Sequence, residues 1–216
     1  MLTVACVWIK SDTYRTEEWV LKLRSMVARR MGMIHPYQFI CITKEDLSQH
    51  GIPTVKPRIK VPGNVPLWWH KLNLFSLEAP WVLYFDLDVV LTGHLGELVD
   101  FPSDFCVAPS NGVPMRGHDF NSSVMMFRTD SDQARMVKHL VTDSHVPFTK
   151  FAGDQQWLAS LPMRVDLFPS RWVHKYLPGQ GVYLPPEGTK VVLMIQGGKN
   201  KVLLEAGHEW IGEYWK

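Results

Sequence analysis

The chain alternates between short, almost wholly apolar runs and stretches with a helical hydrophobic pattern. Residues 2–9 are nearly all apolar, which is typical of a buried β-strand. Residues 17–30 carry apolar side chains at three- and four-residue spacing, which predicts a helix, and Thr16 is placed to cap it. Residues 37–43 and 52–55 are rich in aromatic and β-branched side chains and predict two further strands.

The middle of the chain contains the clearest strand signal. A loop punctuated by prolines leads into residues 68–77, which predict a helix. Residues 81–85 then form a wholly apolar run between Pro80 and Asp86. A run of this length and composition is typical of a central strand that is buried on both faces of a parallel sheet.

The second half of the chain is more mixed. It contains further predicted strands, at residues 105–108, 122–128, 165–168 and 191–196. It also contains two predicted helices, at residues 131–144 and 153–161. Alternation of strands and helices predicts an α/β fold, and the absence of a linker favours one domain over residues 1–216.

Composition and charge narrow the class of protein. The 216 residues are 46% hydrophobic, which excludes a disordered chain, and the net charge of +2 gives no strong indication of nucleic-acid or membrane binding. No apolar run approaches a membrane span, and the first residues lack the features of a signal peptide. Three widely spaced cysteines argue against a disulfide framework, so we expect a cytoplasmic protein.

Two aspartates directly follow the predicted central strand. Asp86 and Asp88 are one residue apart, and in a regular strand such residues point to the same side. Ligands of open α/β sheets bind beyond the carboxyl ends of the strands. No lysine or arginine is near in sequence to neutralise the pair, and two adjacent carboxylates suit Mn²⁺ or Mg²⁺. The alternative is that Asp86 caps a turn and Asp88 is solvated.

The segment from Leu83 to Leu91 resembles the Asp-x-Asp segment of glycosyltransferases with the GT-A fold, most of all the glycogenin and lipopolysaccharide-galactosyltransferase family. Three later segments follow in the order expected for that family, at residues 121–127, 153–156 and 196–201. The resemblance implies a GT-A fold with a mixed, mainly parallel central sheet flanked by helices. It also implies a nucleotide-binding half over about residues 1–100 and an acceptor half over about residues 101–216.

The resemblance further implies transfer of a sugar from a UDP-linked donor, with retention of configuration, to an acceptor that the sequence does not identify. Asp86 and Asp88 would bind the metal ion, with Gln196 at the position of the family's metal-binding histidine. His208 is an alternative third ligand. A neutral amide oxygen is a poorer metal ligand than histidine, so this position departs from the family pattern.

Other residues acquire roles by the same resemblance. Lys71 would contact the nucleotide phosphate or the sugar, and either Lys199 or Lys201 would contact the diphosphate. Asn121 and Gln155 would face the sugar. Asp154 would orient the acceptor hydroxyl, or act as the base if the enzyme inverts, and it could also cap its own helix.

The sequence itself supplies the aromatic candidates for nucleotide binding. The base is expected near the end of the first strand, around Val7, Trp8 and Tyr14, and core packing is the alternative for Trp8. Of the adjacent Trp68 and Trp69, one could cover the nucleotide, and Trp69 fits the apolar face of the predicted helix.

Two other functions remain open at this stage. A haloacid-dehalogenase-like phosphatase also carries Asp-x-Asp after a buried strand, but that motif normally lies near the N-terminus. A sugar-nucleotide-binding module without catalysis is the second alternative, and Gln196 in place of histidine is the feature that favours it.

Overall fold

The fold was analysed in a computed structural model that describes residues 1–33, 35–110, 120–143, 146–176, 184–194 and 209–216. A seven-stranded sheet forms its centre, in the order β3-β2-β1-β4-β7-β6-β8. Its strands are β1 (Leu2–Val7), β2 (Tyr37–Ile42), β3 (Thr54–Val55), β4 (Trp81–Phe85), β6 (Phe105–Pro109), β7 (Phe120–Arg128) and β8 (Asp166–Leu167). Three other strands form a smaller sheet in the order β5-β10-β9: β5 (Val90–Leu91), β9 (Val173–Tyr176) and β10 (Val191–Met194).

The direction of the strands determines which residues share an edge of the large sheet. Every neighbouring pair is parallel except β4–β7 and β6–β7, so β7 alone runs against the others. The amino end of β7 therefore lies beside the carboxyl end of β4. The backbone N–H of Asp86 extends this pairing by donating to the carbonyl oxygen of Ser123 at 2.8 Å.

Helices cover both faces of the large sheet. The described α-helices are α1 (Glu18–Met31), α2 (Gly96–Val99), α3 (Asp132–Thr142), α4 (Asp154–Ser160) and α5 (Glu209–Tyr214). Three 3₁₀ helices occupy Ser48–His50, Leu67–Ser76 and Ser170–Trp172. No helix in these described ranges combines the length and apolar character that crossing a membrane requires.

Two hydrophobic cores result from the alternation of side chains along the strands. Val4 and Cys6 of β1 pack into the core that contains α1, whereas Ala5 packs into the core formed with the Leu67–Ser76 helix, α3 and α4. Strand β4 contributes side chains to both cores and is buried throughout except at Trp81. The prediction of a central strand buried on both faces is therefore confirmed.

Most of the predicted elements are present, with two corrections. Thr16 does not cap α1, since the capping position is Glu17 and its side chain makes no capping hydrogen bond. Residues 67–76 form a 3₁₀ helix, although the apolar pattern was read as an ordinary helix. Ser131, at the start of α3, does cap its helix, and its hydroxyl accepts from the N–H of Ala134 at 3.2 Å.

Candidate active site

A buried lysine lies at the centre of a polar cluster beyond the end of β4. The Nζ atom of Lys71 lies 2.9 and 3.0 Å from the two carboxylate oxygens of Asp86 and 4.0 Å from Oδ2 of Asp154. It also donates to the hydroxyl of Ser122 at 3.4 Å. Lys71 comes from the Leu67–Ser76 helix, Asp86 follows β4, Ser122 is on β7 and Asp154 begins α4.

Lys71 corrects one expectation from the sequence. The Asp86 carboxylate was expected to lack a nearby cation, but Lys71 neutralises it although it is 15 residues away in the chain. Burial lowers the pKa of Lys71, while Asp154 and Asp86 raise it, and the balance lies above the ordinary value for lysine. Lys71 is therefore a permanent positive charge at this site.

Tyr84 is a second partner of Asp86 that the sequence analysis did not single out. Its hydroxyl donates to Oδ1 of Asp86, and burial, with the charge of Asp86, raises the pKa of the phenol well above its ordinary value. A neutral phenol that donates to the carboxylate is thus maintained at every physiological pH. The signal was present, because Tyr84 precedes Asp86 by two residues, the spacing that places both on one face of a strand.

Asp88 lies close enough to Asp86 for the two charges to interact. Burial, with the charge of Asp86, raises the pKa of Asp88 to about 7, although Lys71 and a hydrogen bond from the Tyr14 side chain act in the opposite direction. β4 ends at Phe85, and Asp88 lies in a turn. The two carboxylates are therefore brought together by this turn and not by the alternation of a regular strand, which corrects the expectation from their spacing.

Asp154 is the most deeply buried acidic group of the cluster, with 2% of its surface exposed. Burial raises the pKa of Asp154, and Lys71 and a hydrogen bond with Ser122 partly offset this effect. Its Oδ2 atom has no hydrogen-bond partner among the residues that the structure describes. A buried carboxylate oxygen without a hydrogen bond is costly and is often a sign of a functional site.

Two further predicted residues border the cluster through backbone contacts with β7. The side-chain oxygen of Gln155 accepts from the N–H of Ser122 at 3.2 Å, and that of Asn121 accepts from the N–H of Ser123 at 2.7 Å. These contacts place both side chains at the amino end of β7, next to Asp86.

The predicted nucleotide-base residues lie on the other side of β4, at the end of β1. Tyr14 bonds to Asp88 and packs edge-to-face on Trp19 at a ring distance of 5.1 Å. Trp8 is only 3% exposed, and its Nε1–H donates to the carbonyl oxygen of Tyr14. Its ring therefore belongs to the core, while half-buried Val7 ends β1.

The remaining predictions concern residues outside the described ranges or atoms absent from the structure. Gln196, Lys199, Lys201 and His208 lie outside the described residues. Within the described part of the chain, no three histidine, cysteine or acidic side chains are grouped so that they could hold a metal ion by themselves. Asp86 and Asp88 remain as two carboxylates, the number that Mg²⁺ or Mn²⁺ commonly takes from a protein when substrate phosphate completes its shell.

Comparison with known proteins found similarity in structure only. The sequence matches no family profile, and no curated protein matches it at a significant level. The galactosyltransferase LgtC, in complex with donor and acceptor sugar analogs, matches with a TM-score of 0.61 and 14% identity over 99% of this chain and 94% of LgtC. Mouse xyloside xylosyltransferase 1 matches with a TM-score of 0.57 and 11% identity, over 90% of this chain and 97% of the mouse protein.

A third match extends beyond this chain. The glycosyltransferase GlyE of Streptococcus pneumoniae TIGR4 matches with a TM-score of 0.58 and 13% identity over 79% of this chain, which spans only 45% of the GlyE chain. The reported neighbours are glycosyltransferases, and the similarity to LgtC and to the mouse enzyme extends over at least 90% of this chain. The fold of this chain is therefore that of the GT-A glycosyltransferases.

Proposed function

We propose that this protein is a glycosyltransferase that transfers a sugar from a UDP-linked donor to an acceptor hydroxyl. The observation that carries the proposal is the convergence of Lys71, Asp86, Asp88 and Asp154 from three separate segments at the carboxyl end of β4. This is the edge at which open α/β sheets bind their ligands. The GT-A fold makes sugar transfer the reaction class that fits best, and it argues against the phosphatase alternative.

Lys71 is suited to the leaving group. Transfer of the sugar leaves a diphosphate, on which negative charge increases as the bond to the sugar breaks. A buried ammonium fixed by Asp86 and Asp154 needs no reorganisation to stabilise that charge. We assign the contact with the diphosphate to Lys71, and the nucleotide base to the end of β1, near Val7 and Tyr14. Lys199 or Lys201 is proposed to make a second contact with the diphosphate, as the resemblance implies.

We further propose that Asp86 and Asp88 hold a divalent cation, Mn²⁺ or Mg²⁺. The fit rests on the donor set, because Asp86 and Asp88 are two carboxylates close enough for their charges to interact, and oxygen ligands of this kind suit Mn²⁺ and Mg²⁺. Lys71 and Tyr84 do not exhaust the acceptor sites of Asp86, since a carboxylate has about four lone-pair positions. Such an ion would neutralise charge on the diphosphate, and Gln196 is the proposed third ligand.

Asp154 is assigned to the acceptor hydroxyl, with Asn121 and Gln155 at the donor sugar. The Asp154 carboxylate is buried and has one oxygen without a hydrogen-bond partner in the described residues. It lies beside the ammonium of Lys71, which would face the diphosphate. Retention of configuration is proposed from the resemblance alone, since fold does not determine stereochemistry.

Hydrolysis of the donor in the absence of acceptor tests the proposal. We expect a panel of UDP-hexoses and UDP-pentoses, assayed with and without Mn²⁺, to include one that is slowly hydrolysed to UDP only when the metal is present. Asp88→Asn should reduce this rate by about 100-fold or more, because the charge that holds the cation is lost. Asp104→Asn is the matched control, since this half-exposed aspartate precedes β6 at the opposite edge of the sheet.

Asp154→Asn separates the acceptor role from donor binding. Because water takes the place of the acceptor hydroxyl in this assay, Asp154→Asn should lower hydrolysis strongly while the affinity for UDP, measured by calorimetry, changes by less than about threefold. A loss of UDP affinity with an unchanged turnover number would contradict the role assigned to Asp154. Absence of hydrolysis and of UDP binding across the whole panel would overturn the proposed function.

A further inference from the structure

Trp68 exposes an aromatic ring beside the candidate active site. The adjacent Trp69 is completely buried in the core, whereas Trp68 is 52% exposed. The exposed ring is nevertheless held in position, since its Nε1–H donates to the carbonyl oxygen of Ala152 at 3.2 Å. Because the hydrogen bond already fixes the ring, a ligand can bind to its flat apolar surface without a large loss of side-chain entropy.

The 3₁₀ geometry places Trp68 directly beside Lys71. Residues three apart in a 3₁₀ helix lie one above the other, so Trp68 and Lys71 share one side of the Leu67–Ser76 helix. Lys71 reaches Asp86 and Asp154 from that side. The Trp68 ring therefore borders the charged cluster.

Gly153 shows how closely the ring approaches the other side of the site. A Cβ atom at this position would lie 2.3 Å from Nε1 of Trp68. The φ angle of Gly153 is 175°, an extended conformation that any residue adopts, so the backbone does not require glycine here. The absence of a side chain instead allows the ring to lie against the residue that precedes Asp154.

The position of Trp68 relative to β4 indicates whether its ring would contact the donor or the acceptor. Tyr14, near the expected base site, lies beyond β1 on one side of β4. Trp68 contacts the chain just before α4, and α4 packs on β7, which is on the other side of β4. The ring is thus next to Asp154, to which the acceptor hydroxyl is assigned.

We infer that Trp68 is the platform for the acceptor, and that the acceptor is a saccharide whose pyranose ring stacks its apolar C–H face on the indole. This inference rests on the proposed function. Stacking would bring a hydroxyl at the rim of that sugar ring toward the Asp154 carboxylate, which supplies a polar contact of the kind that a sugar requires.

Binding of simple saccharides to the full chain tests the inference. Saturation-transfer NMR would be recorded with a panel of methyl hexosides and methyl pentosides, each with and without UDP and Mn²⁺. We expect at least one glycoside to bind the wild type, and Trp68→Ala to weaken that binding about tenfold, because one ring face is lost from the contact. Trp68→Phe should retain affinity to within about threefold, since a flat ring remains.

The neighbouring Leu67→Ala is the matched control, because Leu67 is 43% exposed but one residue away from the side that carries Lys71. It should leave glycoside binding unchanged, and none of the three variants should change the affinity for UDP. An equal loss of UDP affinity in Trp68→Ala would assign the ring to the donor and overturn the inference. Unaltered glycoside binding in Trp68→Ala, or no binding of any glycoside to the wild type, would also overturn it. Failure of the proposed function would be seen separately, as the absence of UDP binding and of donor hydrolysis in the wild type.

Discussion

Lys71 shows how single residues control the electrostatics of this site. Its ammonium is buried and compensated by Asp86 and Asp154, so each charge depends on the other two. Removing one member of a buried ion pair leaves its partner uncompensated, and this costs more than the pair itself contributes. The cluster is therefore expected to affect folding as well as any reaction.

Lys71→Met should lower the free energy of unfolding by about 3–5 kcal/mol, because Asp86 and Asp154 would stay buried without a cation. Urea unfolding at neutral pH measures the change. Lys60→Met, which removes an exposed lysine, is the control and should alter stability by less than about 0.5 kcal/mol. Equal stability of Lys71→Met and the wild type would mean that the cluster is not held by this charge.

At the scale of the element, helix starts differ in how their first N–H groups are satisfied. The Ser131 hydroxyl accepts from the N–H of Ala134 at the start of α3. In α1, the capping position Glu17 makes no side-chain hydrogen bond, and Thr16 is outside the helix. Packing of Trp19, Val20 and Leu23 into the core stabilises α1 without a cap.

Ser131→Ala should therefore destabilise the protein by about 1 kcal/mol, which is the usual cost of losing such a cap. Thr16→Ala, the corresponding change at α1, should have an effect below about 0.5 kcal/mol. Thermal or urea unfolding of the two variants gives the comparison. Equal losses in both would show that Thr16 contributes a capping interaction after all.

At the scale of the whole molecule, the last residues of the chain are fixed to α1. Arg29 donates to the carbonyl oxygens of Lys216 and Tyr214, each at 2.6 Å. The buried ring of Trp215 packs on Trp19 at 4.9 Å, and the ammonium of Lys22 lies 3.6 Å from its centre. Since Trp19 also contacts Tyr14, which bonds to Asp88, the C-terminus is connected through three aromatic rings to the candidate metal site.

Trp215→Ala should lower the free energy of unfolding by about 3–5 kcal/mol, the range for deletion of a buried aromatic ring. Trp68→Ala provides a matched comparison, because it removes the same side chain from a half-exposed position and should cost much less. Chemical unfolding followed by circular dichroism distinguishes the two. Similar losses would mean that the C-terminal residues do not pack as a part of the core.

The sequence by itself determined the strands of the large sheet, the longer helices and the aspartates that follow the central strand, whereas β5, β9 and the shortest helices were not predicted. Apolar runs such as residues 81–85 and helical spacing such as that of α1 are local patterns, and burial on a sheet enforces them. The GT-A resemblance was likewise carried by short motifs in order, and the fold confirms it. Asp86 and Asp154 could be identified as candidates for the same reason, since each belongs to one of these short motifs.

Only the tertiary structure decided which of these residues meet. The partnership of Lys71 with Asp86 and Asp154 joins positions 15 and 83 residues apart, and no local pattern encodes it. The same holds for adjacent Trp68 and Trp69, of which one is exposed beside the site and the other is buried. Residues three apart lie on one side of a helix, so Trp68 is a neighbour of Lys71, but only the packing of the helix decided that this side meets Asp86 and Asp154.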